Sequence, residues 1–87
     1  MIGIIILNYQ NYEVTEKCVQ SIVDNPPSED FKIYIIDNGS SNESCSVLSE
    51  KYNVDAEKIT VHRIEKNVGF AGGNEYGIKL CEKDEIE

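Results

Sequence analysis

Three apolar runs recur at nearly even intervals along the chain: Ile2–Leu7 (IGIIIL), Lys32–Asp37 (KIYIID) and Ile59–Ile64 (ITVHRI). The first two do not alternate with polar residues. Almost continuous isoleucine is what a strand covered on both faces requires. The third run is more polar and reads as an edge strand.

Helical patterns fill the intervals. Glu13 to Asp24 carries Val14, Cys18, Val19, Ile22 and Val23 on one broad face, with Asn11 placed as N-cap. Cys18 falls in line with Val14 and Ile22 and is expected on the buried side. Pro26-Pro27 stops this helix, because proline lacks an amide donor and drives the residue before it out of helical geometry. Ser40 and Glu43 have capping-box spacing, which predicts a helix running to about Tyr52. A third helix is expected from Gly73-Asn74 to about Lys83. Its Gly73, Gly77 and Cys81 form a stripe of small residues that lets it approach a sheet closely. The order is β-α-β-α-β-α, with crossovers long enough for parallel pairing. The fold class is α/β: three layers, and half of a doubly wound parallel sheet. In such sheets ligands lie beyond the carboxyl ends of the strands.

Composition narrows the partners. A chain of 87 residues holds one small domain, and 40% hydrophobic with 28% charged residues is a globular balance. Sixteen acids against eight bases give a net charge of −8, which argues against nucleic acid or an anionic membrane as the main partner. Residues 82–87 form an acidic tail expected to fray. No apolar stretch reaches the roughly 20 residues of a membrane helix, and the Ile4–Leu7 run is too short for a signal peptide and has no basic residues before it, so the cytoplasm is the expected location. Cys18, Cys45 and Cys81 lie far apart, with no Cys-x-x-Cys or Cys/His cluster. They are expected to be reduced and structural, with no metal site.

The chemistry lies at the strand ends. After the first strand stands Asn8-Tyr9-Gln10-Asn11-Tyr12, with none of the glycines that a dinucleotide or P-loop turn needs. Aromatic and amide groups there suit stacking on a base and bonding its edge, and suit an ordinary polar turn equally well. After the second strand, Asp37-Asn38-Gly39-Ser40-Ser41 offers a carboxylate at a strand tip, or a plain turn and cap. After the third, Asn67 and Asn74 bracket Gly69-Phe70-Ala71-Gly72-Gly73, which reads as a compact loop entering a helix. No reaction can be built from these residues: His62 reads as structural or exposed, and no paired carboxylates occur. The residues alone describe a nucleotide- or small-anion-binding half of an α/β sheet.

Taken together, IIILNYQNY, IIDNGSS and NVGFAGGN closely resemble the N-terminal part of family 2 glycosyltransferases of the GT-A fold, in the manner of the rhamnosyltransferase-like branch. The resemblance runs from Ile2 to about Leu80. It implies the nucleotide half of a nucleotide-sugar site, with a UDP- or dTDP-sugar as donor. By that likeness Asn8 and Tyr9 lie against the base, with Tyr9 stacking. Asp37 bonds the base edge, and Asn67, Gly69 and Asn74 shape the third loop near base and ribose. It also implies a divalent metal, Mg or Mn, in the full-length enzyme. The family's metal-binding Asp-x-Asp follows a fourth strand and the catalytic base lies further on, so no catalytic residue is expected here. The chain therefore reads as a truncated N-terminal segment. Its first strand would be an exposed apolar edge, inviting self-association. Two other functions fit the pattern less closely: a stand-alone nucleotide-binding or regulatory module, and a structural assembly fragment.

Overall fold

A computed structural model describes residues 2–41, 43–52 and 58–84. Strands β1 (Ile2–Asn8), β2 (Phe31–Asn38) and β3 (Ile59–Ile64) alternate with helices α1 (Tyr12–Asp24), α2 (Ser44–Tyr52) and α3 (Gly69–Lys83). The strands pair in parallel in the order β1-β2-β3, which confirms the α/β class and places β3 at an edge.

Alternate side chains of each strand enter different layers. Ile6, Ile33 and Ile35 point to one face and bury Val19 of α1 and Leu48 of α2. Tyr34 and Ile36 point to the other and bury Cys81 of α3. The central strand is therefore sealed on both sides: residues 33–36 are fully buried. This is why its run contains no polar interruption.

α3 lies close on the sheet because its inward stripe has little bulk. A methyl group at Gly77 would stand 2.7 Å from Ile5 Cγ2, and one at Gly73 would stand 3.0 Å from a Leu7 methyl. The expected small-residue stripe is this contact.

Three expectations on the helices need correction. The buried side of α1 is Tyr12, Thr15, Val19 and Ile22, while Val14, Cys18 and Val23 face outward. Thr15 fixes the roll: its hydroxyl faces the sheet and donates to Asn8 Oδ1 at 2.6 Å. Ser40 does not cap α2, which begins at Ser44, because the Ser40 hydroxyl is committed to Asp37 and Gln10. α3 begins at Gly69, four residues before the expected start, so the glycine-rich segment is helix and not loop. Asn11 does cap α1, accepting from Val14 N–H at 3.3 Å.

Asp84, assigned by sequence to the acidic tail, is the C-cap of α3. Its carboxylate accepts from Tyr34 Oη at 2.7 Å and pairs with Lys32 at 3.4 Å. These partners hold its pKa below the usual carboxylate range, the Tyr34 hydrogen bond contributing most. Glu82 and Lys83 of that expected tail form the end of α3, and residues 85–87 lie outside the described residues. All three cysteines are free thiols. Among the described residues no helix is long and apolar enough to cross a membrane.

Candidate functional site

The carboxyl ends of the three strands carry a row of polar residues. Strand register places Asn8 beside Asp37 and Asp37 beside Arg63. All three share the parity of Ile6, Ile35 and Val61, and so point to the α1/α2 face.

Asp37 lies at the middle of this row and is fully buried. Its Oδ1 accepts from Asn8 Nδ2 at 2.9 Å and from the Ser40 hydroxyl at 2.6 Å. Asn8 is itself held by Thr15, so a helix, two strands and a loop fix this one oxygen. Asp37 Oδ2 differs sharply from its twin. It accepts no hydrogen bond, and its nearest charged neighbour, Arg63 Nε, stands 3.8 Å away. A buried carboxylate oxygen without a hydrogen-bond donor is costly. An unfilled acceptor on an otherwise fully braced side chain is therefore the feature of this site that most needs a ligand.

The loops around it are tied to one another. Gln10 stands in left-handed geometry, φ 62°, which a residue with a side chain adopts only under constraint. The constraint is visible: its N–H donates to Ser40 Oγ at 2.8 Å, and its side-chain amide brackets Ser41, accepting from the Ser41 N–H at 2.8 Å. Gly39 has φ 72°, and a methyl there would stand 2.4 Å from Asn67 N. The loop after β2 thus touches the loops after β1 and β3. Tyr9, next to Gln10, is half exposed, with its ring open to solvent.

Of the six residues singled out in the sequence, Asn8, Tyr9 and Asp37 gather at the ends of β1 and β2. Asn67, Gly69 and Asn74 stand at the start of α3, on the opposite layer. Asn67 Oδ1 accepts from Gly69 N–H at 2.8 Å, forming a local turn. Gly69 has φ 79°, and Asn74 lies half-buried in α3. Sequence reasoning missed two residues. Asn38 points away from Asp37 and clamps the start of α3, accepting from Val68 N–H and donating to Gly69 O, both at 3.0 Å. Arg63 flanks the unfilled acceptor. The signal for it was cross-strand register, which needs the pairing to be known.

A recess of about 280 Å³ opens on the α3 side, lined by Ile64, Val68, Gly72, Glu75, Tyr76 and Lys79. It contains none of the six residues and no unfilled buried acceptor. The Asp37 row is the better candidate, because it carries an unmet chemical need and the recess does not.

Among known protein families, the family model described as glycosyl transferase family 2 matches residues 3–86. No curated protein and no solved structure matches the chain.

Proposed function

Because the chain belongs to glycosyl transferase family 2, matched over nearly its whole length, we propose that it forms the donor-binding segment of a glycosyltransferase of the rhamnosyltransferase-like kind, holding the nucleoside diphosphate of a UDP- or dTDP-sugar. The observation that carries this reading is Asp37 Oδ2, a buried carboxylate oxygen without a donor at the carboxyl end of the central strand. A ring N–H of a base supplies the missing donor. Tyr9, half exposed and next in sequence to Asn8, offers a ring face for stacking. By the family resemblance Asn67, just before α3, and Gly69 and Asn74, within it, lie near base and ribose.

The residues at this site bind and orient. Asn8 and Ser40 hold Asp37 in one rotamer, so the acceptor is in place before the base arrives. Among the described residues no three His, Cys, Asp or Glu side chains come together to hold an ion.

An NMR titration of the labelled chain with uridine and thymidine diphosphates, with and without magnesium, tests the reading. Shifts centred on Tyr9, Asp37 and residues 67–74, and lost in Asp37→Asn, are expected. Shifts elsewhere, or none in a folded sample, would overturn it.

A further inference from the structure

Arg63 stands beside Asp37, where a second group can meet a ligand held by that carboxylate. The two residues are register partners on β2 and β3. Arg63 Nε stands 3.8 Å from Asp37 Oδ2, beyond hydrogen-bond length. Its Nη2 donates to Ser40 O at 3.4 Å, a long contact that steers the guanidinium without saturating it. The Arg63 side chain is 48% exposed, whereas Asp37 is wholly buried. The pair therefore sets a buried acceptor beside a half-exposed, planar, always-charged donor, with no hydrogen bond between them.

We propose that Arg63 is a base-positioning residue: its guanidinium donates to a carbonyl oxygen of the base that adjoins the ring N–H accepted by Asp37 Oδ2. This rests on the nucleotide-binding reading above and adds a second contact to it. Two parallel hydrogen bonds to neighbouring atoms of a planar edge need partner atoms that stand apart from each other, and a 3.8 Å separation meets that need. Oδ1 is already occupied by two donors, so Asp37 has one acceptor to offer. A single contact would leave the base free to pivot about it. Arg63 removes that freedom, and its charge makes the second bond a strong one.

The test compares wild type, Arg63→Ala, Arg63→Lys and Asp37→Asn by calorimetric titration with uridine diphosphate and its 2-thio and 4-thio analogues, in which one carbonyl becomes a poor acceptor. Thermal unfolding monitors the fold of each variant. Arg63→Ala is expected to bind uridine diphosphate about tenfold more weakly, the loss of one charge-assisted hydrogen bond. Arg63→Lys should recover part of that loss. In wild type one thio analogue should bind several-fold more weakly than the parent, and in Arg63→Ala this penalty should vanish. A purely structural role would weaken all three ligands alike. Undiminished binding by Arg63→Ala, or a thio penalty that persists without Arg63, overturns the proposal. Binding that requires Asp37 but ignores Arg63 removes this inference alone. No binding by wild type removes the nucleotide reading with it.

Discussion

Asn8 and Asp37 lie side by side at the ends of β1 and β2, with Asn8 Nδ2 2.9 Å from Asp37 Oδ1 and both side chains buried. The amide works in two directions, because its oxygen takes the Thr15 hydroxyl at 2.6 Å. Asn8 thus joins α1 to the carboxylate on the central strand.

Asn8→Ala should be markedly destabilising. It leaves the Thr15 hydroxyl without this acceptor and takes one of two donors from a buried carboxylate. A loss of about 2–3 kcal/mol is expected from the unmet groups. Chemical denaturation checks this, and Thr15→Val in the Asn8→Ala background should recover part of the loss by removing one of them.

Asp37→Asn tests stability and binding together. The amide oxygen can keep the Asn8 and Ser40 contacts, while its NH2 replaces Oδ2 and stands buried beside the Arg63 guanidinium. Stability should fall by about 1–3 kcal/mol, the cost of an unmet buried donor facing a cation. Nucleotide affinity should fall by about 1–3 kcal/mol. Thermal unfolding and titration on one sample give both values.

Gly77→Val tests the close approach of α3 to the sheet. A methyl at this position already meets Ile5 Cγ2 at 2.7 Å, and valine adds two more carbons there. The helix must move away, at a cost of about 1–3 kcal/mol. A melting temperature equal to wild type would show that α3 and Ile5 are not in close contact.

His62 makes stability fall in mild acid. Its ring stacks on Tyr34, with centroids 6.2 Å apart, and Nε2 is 2.9 Å from Thr60 Oγ1. Burial lowers its pKa, Lys32 lowers it further, and Asp84 opposes them. The unfolded chain therefore binds the proton first, near pH 6.5. The sign follows from linkage: stability rises with pH wherever the unfolded state holds more protons. Stability should be full above about pH 6.5 and decline below it, down to the lowered folded pKa. His62→Gln should flatten this part of a pH-stability curve.

Among the described residues the outer edge of β1 carries no partner strand. It is apolar along its length, which favours pairing with another chain. The chain of residues 1–87 is expected to self-associate with rising concentration. Light scattering checks this, and a mass that stays monomeric throughout would show that the edge is protected.

The strands were legible because burial on both faces leaves an unbroken apolar run, a property of local composition. The ends of α1 were legible for a similar reason: Asn11 and Pro26-Pro27 act within a few residues of themselves. The roll of α1 was not. Its apolar residues cover a wide arc, so Val14 and Cys18 were as plausible inward as Thr15. The choice depended on a hydroxyl meeting an amide on another element. Ser40 shows the same limit, since capping-box spacing is local but its hydroxyl was claimed by Asp37 and Gln10. For the glycine-rich segment, Asn38 supplied contacts that a helix start needs, from a strand 30 residues earlier.

What the sequence by itself determined is the order of elements, the two-sided burial of β2 and the polar character of all three strand ends. Each follows from side-chain type and short-range spacing. The tertiary structure decided which of those polar groups meet. It filled one oxygen of Asp37 and left the other bare, and it turned Asn38 to the opposite layer. It also set Arg63 beside the bare oxygen, because parallel register, and not sequence distance, chooses the neighbours of a buried carboxylate.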